Sequence, residues 1–303
     1  VPTKVKVVQG YPQIVPVDEG KKQPSPEDSI DSNDYPDDAT FEYKEEVDTS
    51  TSGDKKVTVV VKQGDKVLVE VPSTVRVVES YPQFVPVDKD KKQPAVEGSI
   101  DPKAFPKDTV FTYETPVDTT TPGEKDVVVV AKIGDQVIAK VPAKVMVVEP
   151  KTQYVPVDKS NKQPDASKSI DPEQYPDGVT FKYKTPVDTT TPGEKPVTVV
   201  AKLNGQPITE IPATIVVVES KTQYVPVNAE NDKKPKPQDS ITPDDYPEGS
   251  TFEYKTPEGQ TTPYDGTTPG EKDVTVVVKD PDGDTIVEVP AKIKVVQGTE
   301  QLT

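Results

Sequence analysis

The apolar residues of this chain fall in short, valine-rich runs with the two-residue alternation of strands. One stretch, residues 81–150, serves as the example. Residues 126–132, DVVVVAK, are apolar at consecutive positions, as in a strand covered on both faces. Gly134-Asp135 turns the chain, and residues 136–141 return with Val137, Ala139 and Val141 sharing one face. Pro142 is expected to break the ladder, after which residues 143–149 resume with Val145 and Val147 inward. Earlier, residues 109–115 form a strand with Phe111 and Tyr113 on one face, and residues 83–88, QFVPVD, a short one. Pro86 lacks a ladder donor, so that strand belongs on an edge, where the proline removes one bond from its pairing. Asp101-Pro102-Lys103-Ala104 has an N-cap residue and a proline at the first helical position, the signature of one short helical turn pinned by Phe105. Asp118-Thr-Thr-Thr-Pro-Gly123 is a turn. About five or six strands in roughly 70 residues predict a small antiparallel β-sandwich, immunoglobulin-like in form.

The same pattern returns along the whole chain. Gln13, Gln83, Gln153 and Gln223 stand 70 residues apart, each followed by a hydrophobic residue and Val-Pro-Val. Ser-Ile recurs at 29, 99, 169 and 240, then Tyr35-Pro36, Phe105-Pro106, Tyr175-Pro176 and Tyr246-Pro247. Phe41/Tyr43, Phe111/Tyr113, Phe181/Tyr183 and Phe252/Tyr254 follow. The register sets four copies at 11–80, 81–150, 151–220 and 221–298, copies two and three agreeing at more than half their positions. The fourth is longer, with residues 258–266 read as an insert before its turn. Residues 1–10, VPTKVKVVQG, match the end of a copy and read as the last strand of a preceding one, and residues 299–303 as a frayed tail. Because residue 1 falls inside a repeat, the chain reads as a piece of a longer protein whose ends carry no targeting information.

Composition limits what such copies can be. Hydrophobic residues are 32%, aromatic 6%, with 35 prolines and no tryptophan, so each core is small. With no histidine and no cysteine, the commonest general base, the thiol nucleophile and the commonest zinc ligands are missing. A net charge of −16 disfavours nucleic acid or an anionic membrane as partner, and no apolar run is long enough for a membrane span. The expectation is a protein that is not an enzyme and uses no cofactor or metal.

Thr115-Pro-Val-Asp-Thr-Thr-Thr-Pro-Gly-Glu-Lys125, followed by a valine strand, a turn and Val-Pro-x-x-Val, resembles the Rib/alpha-like repeats of Gram-positive surface proteins. Copy three repeats it from Thr185, the hairpin at 280–284 is similar to the Pro-Asp-Gly turn of that family, and Tyr175-Pro-Asp-Gly178 resembles its longer Rib-like variants. Copy one departs most, Glu45-Glu-Val-Asp-Thr-Ser-Thr-Ser-Gly-Asp-Lys55 lacking both prolines. The resemblance covers all four copies. It implies tandem immunoglobulin-like domains, and joints of only about four residues between copies, with Pro150 or Pro82 among them and no glycine, add the expectation of an elongated rod. It further implies a secreted protein on the cell wall, covalently attached through a region outside this chain and holding a distal host-binding region. The leading reading is therefore a stalk. The alternative is an adhesive module whose repeats bind a host glycan, mucin or matrix protein. An adhesive copy would expose an aromatic or apolar patch once per repeat.

Several residues invite a sharper reading. Asp280-x-Asp282-Gly-Asp284 has the spacing of a calcium loop, but residues 289–291 lie where its closing glutamate would fall, and a hairpin turn explains Asp-Gly. Lys62, Lys132, Lys202 and Lys279 recur as an isopeptide lysine would. No asparagine recurs with them, and the recurring Asp48, Asp118 and Asp188 has Glu258 or Gln260 near its place in copy four. Solvated lysines and turn-capping aspartates are favoured. The Thr-Pro turns could carry O-linked sugar or simply suit a turn, and Phe111 and Tyr113 are read as core in preference to a sugar-binding face.

Overall fold

The computed structural model describes residues 5–297. The protein is all-β: among those residues each copy contributes four strands joined by loops and short 3-10 turns. The fold is a tandem array of immunoglobulin-like domains. Copy one holds β1 (Gln13–Pro16), β2 (Ala39–Tyr43), β3 (Gly53–Gln63) and β4 (Lys66–Val78). Copy two holds β5 (Gln83–Pro86), β6 (Val110–Tyr113), β7 (Gly123–Ile133) and β8 (Gln136–Val148). Copy three holds β9 (Gln153–Pro156), β10 (Thr180–Tyr183), β11 (Gly193–Leu203) and β12 (Gln206–Val218). Copy four holds β13 (Gln223–Pro226), β14 (Thr251–Tyr254), β15 (Gly270–Lys279) and β16 (Thr285–Val296). The chain falls into two compact units that divide between Val147 and Val148, the first with copies one and two, the second with copies three and four. No helix among the described residues is long and apolar enough to cross a membrane.

A long hairpin organises each copy. In copy one β3 pairs antiparallel with β4 from Gly53↔Val77 to Gln63↔Lys66. The two short strands flank opposite ends of it. β2 lies antiparallel against residues 59–63 of β3, and β1 lies parallel against residues 75–78 of β4. The order β1-β4-β3-β2 therefore curls, with one apolar cluster (Ile30, Val59, Val61, Val71) under the β2 end and another (Val47, Val75, Val77) under the β1 end. The sheet is mixed, since the terminal strands run in the same direction.

Pro142 does not break the ladder as expected; it sits inside β8, opposite Val128. The Val128 carbonyl accepts from Glu114 N, just past the end of β6, which turns this pair's polar groups away from each other. The proline nitrogen thus points to the far side of β8, where no donor is needed. The same bond recurs from Lys44, Lys184 and Lys255 to Thr58, Thr198 and Thr275. The expectation for the first-strand proline is corrected by similar geometry. Val17 N donates to Val78 O, as Val157 does to Val218 and Val227 to Val296, so the proline before each faces the open edge and removes no bond. Val137 is a further correction: it is exposed while Ala139 and Val141 are buried. A register shift between Ala131 and Lys132, where Lys132 pairs with Val137, breaks the alternation. The short helical turn is present as 3-10, Pro102–Ala104, with Asp101 accepting from Lys103 N at 3.0 Å.

Of residues 1–10, expected as the last strand of a preceding copy, the described residues 5–9 form no strand, and Gly10 bridges Ile30. The tail at 299–303, residues 1–4 and residue 298 lie outside the described residues.

Candidate functional site: the strand clamp, its polar ties and the seam between copies

Each first strand is held by more than its ladder. In copy one the Tyr43 hydroxyl lies 2.9 Å from Ser29 Oγ and donates to Gln13 Oε1 at 3.0 Å. Tyr113, Ser99 and Gln83 repeat the cluster, as do Tyr183, Ser169 and Gln153. In copy four Gln223 donates through its amide nitrogen to Tyr254 Oη at 2.8 Å and Ser240 Oγ at 2.6 Å. The tie joins the first strand, the 3-10 turn and the second strand, three segments that share no ladder. Burial raises the pKa of all four tyrosines, and the serine hydroxyl works against it. The sequence displayed every member of this cluster as a recurring marker, yet spacing alone did not bring them together.

A second tie uses a glutamine as a strand. Gln23 accepts from Val47 N at 2.7 Å and donates to Val47 O at 3.0 Å, and Gln93 with Val117 and Gln163 with Val187 do the same. Copy four has Lys234 in that place. There Asn228 N donates to Gly266 O, as Asp18, Asp88 and Asp158 do to Thr49, Thr119 and Thr189. This puts Tyr264-Asp265-Gly266 in register with Val187-Asp188-Thr189, so the extra residues of copy four are 258–263. Tyr264 packs against the copy-four core in place of the valine.

The recurring aspartate is therefore present in every copy, and its fourth member is Asp265, not Glu258 or Gln260. Asp118 accepts from Thr120 N at 2.9 Å and from the Thr120 and Thr121 hydroxyls at 2.6 Å each. Those hydroxyl bonds first, then the amide, hold its carboxyl far below the usual carboxylate range, as at Asp48, Asp188 and Asp265. Lys125 Nζ stands 3.6 Å away and donates to Thr121 Oγ1 at 2.8 Å. Copy one builds the same turn without prolines because Asp48 and Gly53 (φ 119) are retained, a backbone angle only glycine adopts freely.

Successive copies meet along a seam, visible within each unit. In the first, Val78 and Ile14 of copy one pack into the core cluster of copy two. Arg76 grips Asp54 through two bonds of 2.6 and 2.9 Å and donates to Ala104 O of copy two at 3.3 Å. In the second, Tyr154 of copy three stacks on Tyr246 of copy four at 5.5 Å and 27°, and Val216 and Val218 enter the copy-four cluster. Residues 6–10 imitate such a seam: Lys6 Nζ donates to Asp34 O at 2.7 Å, as Arg76 does to Ala104 O, and Val8 packs on copy one's core.

Comparison with protein families matches the Rib domain at residues 9–79, 81–149, 148–219 and 219–297. The chain belongs to the Rib domain family. Among solved structures it is similar to a Rib structure from Streptococcus pyogenes, at 35% identity over 26% of this chain and 90% of that one, TM-score 0.21. It is also similar to human mucin-like protocadherin EC1-2, at 11% identity over 50% of this chain and 98% of that one, TM-score 0.19. Drosophila N-cadherin EC1-3 matches at 13% over 72% and 98%, TM-score 0.19. Comparison with curated proteins finds no match.

The Rib copies dispose of the tempting residues as follows. Asp280 Oδ1 accepts from Asp282 N at 3.1 Å and Asp284 N at 2.8 Å, so that carboxylate closes its own turn. Lys62 pairs with Glu42 at 2.5 Å and Lys279 with Glu253 at 2.7 Å, while Asp48 is met by Lys55. Lys132 and Lys202 stand opposite Val110 and Thr180, with Thr112 and Lys182 where the glutamates would be. The Thr120 and Thr121 hydroxyls already donate to Asp118. Phe111 packs edge-on against Phe105 at 5.0 Å, and Tyr113 is tied to Ser99 and Gln83.

Proposed function

We propose that this chain is a tension-bearing stalk segment of an extracellular, cell-wall-anchored bacterial surface protein, holding a distal binding region away from the cell. The observation that carries the reading is the parallel pairing of first and last strands. Gln13–Pro16 pairs with residues 75–78, Gln153–Pro156 with 215–218 and Gln223–Pro226 with 293–296; β5 and β8 are neighbours too. Force enters a copy at the start of the first strand and leaves at the end of the last. In a parallel pair these pulls oppose each other along the strands, so the bonds shear together instead of parting one at a time. The glutamine–serine–tyrosine tie adds a side-chain anchor to the same strand. An adhesive copy would repeat an exposed aromatic; Tyr11 and Tyr81 are exposed, but lysines 151 and 221 take their place in copies three and four.

Single-molecule pulling tests this. The expected trace has one unfolding event per Rib copy, because each carries its own core. One merged event, or copies that yield at negligible force, would overturn the stalk reading. Tight binding of the chain to a mucin or glycan array would favour the adhesive one.

A further inference from the structure

The seam between copies three and four holds a chemistry that the seam between copies one and two lacks. Tyr154 and Tyr246 stack at 5.5 Å and 27°, two phenols in contact across a joint. In the first unit Ile14 and Phe105 hold those places. Within the copies Tyr35, Phe105, Tyr175 and Tyr246 each meet a phenylalanine edge-on, and a phenylalanine ring has no phenol to oxidise. Tyr154 is half-buried and lines a cavity of about 910 Å³ with Lys162, Asp165, Ile286 and Glu288, so a small molecule reaches it. Tyr246 is 7% exposed, and its hydroxyl has no hydrogen-bond partner among the described residues.

We propose that Tyr154 and Tyr246 form a site of oxidative crosslinking, joined ring to ring by a one-electron oxidant of the activated-peroxide class. Burial raises the pKa of both, so each phenol carries its proton at neutral pH. Each oxidation therefore removes one electron and one proton, the proton leaving to water. Tyr154 is oxidised first because it borders the cavity, and an electron from the stacked Tyr246 ring refills it. A second oxidation of Tyr154 leaves a phenoxyl radical on each ring. The two unpaired electrons form a carbon–carbon bond between positions ortho to the hydroxyls. The hydrogens on those carbons then move to the oxygens and restore both hydroxyls. The chain loses two hydrogens in all, while one peroxide is reduced to two waters. The bond ties β9 to the copy-four turn and encloses β10, β11 and β12 in a covalent loop. Tension then passes from Tyr154 straight to Tyr246, and copy three no longer extends. The crosslink does not depend on the stalk reading; it follows from the contact of the two rings.

Brief illumination of the dilute full chain with a ruthenium trisbipyridyl complex and persulfate tests it, at a dose that oxidises the exposed Tyr81. Persulfate takes the place of peroxide and ends as sulfate. The expected product is a monomer two hydrogens lighter, with blue dityrosine fluorescence, whose digest joins the peptides of Tyr154 and Tyr246. Tyr154→Phe and Tyr246→Phe, which keep the ring, should each abolish that joined peptide. Single-molecule pulling of the crosslinked chain should show one unfolding event fewer than the untreated chain, and an equal number would overturn the bypass of copy three. Oxidation of Tyr81 with Tyr154 and Tyr246 unchanged, a joined peptide found only in dimers, or a crosslink at Tyr154 that survives Tyr246→Phe overturns the proposal.

Discussion

The two seams solve one problem with different chemistry. Between copies one and two the contact is a guanidinium, held by Asp54, reaching a backbone carbonyl beside an aliphatic contact from Ile14. Between copies three and four two tyrosine rings stack and Val216 replaces the arginine. The hairpins beneath are nearly identical in register, down to the shifts at Val61/Lys62 and Ala201/Lys202. Few positions distinguish a charged joint from an apolar one, so the character of a joint can vary while each core is kept.

The largest expected effect lies in the apolar seam. Tyr246 belongs both to the copy-four core and to the joint, stacking on Tyr154 and meeting Phe252 edge-on at 5.8 Å. Tyr246→Ala should cost about 3–5 kcal/mol, read by denaturant unfolding of the full chain. A cost below about 1 kcal/mol would mean the ring is not part of the core.

Alkali separates the seams next. Burial first, then Asp245 and Tyr154, pushes the Tyr246 pKa well above its ordinary 10.0. A raised folded pKa favours the protonated form, so the stability it contributes is complete below pH 10 and is lost as pH rises toward the folded value. Tyr175, pushed up to about 12 by burial, acts in the same direction. Phe105, at the same place in the first seam, has no proton to lose. Melting temperatures should hold to about pH 9 and then fall, and Tyr246→Phe should remove part of that fall. An unchanged alkaline profile in Tyr246→Phe would count against the buried-hydroxyl account.

Coupling comes third. A double-mutant cycle on Tyr154 and Tyr246 should give about 0.5–1.5 kcal/mol. Arg76→Ala should cost about 0.5–1 kcal/mol and shrink with added salt, because Arg76 and Asp54 are partly exposed. A salt-independent loss would place the arginine's worth in packing. Smallest of all is Pro86→Val. By the geometry of the other copies its nitrogen faces an open edge, so the unfolding force of copy two should stay unchanged while the bared edge donor raises aggregation.

Much of this protein could be read directly from its residues. Valine alternation, turn residues and a 70-residue recurrence determined an all-β tandem array, because strand period and turn chemistry are local properties. The Asp-Thr-Thr turn and the Asp101 cap are equally local. Tertiary structure decided what depended on neighbours far along the chain. Whether a proline breaks a ladder turned on which side of β8 its nitrogen faced, and Val137 was exposed by a register shift that alternation cannot foresee. Gln13, Ser29 and Tyr43 met because the curl of one sheet brought three loosely spaced segments together. Asp265 found its register through a bond from Asn228 to Gly266 that no spacing rule could count across the extra residues. The seams went unread for the same reason: an exposed-looking residue on one copy becomes buried only when the next copy folds against it.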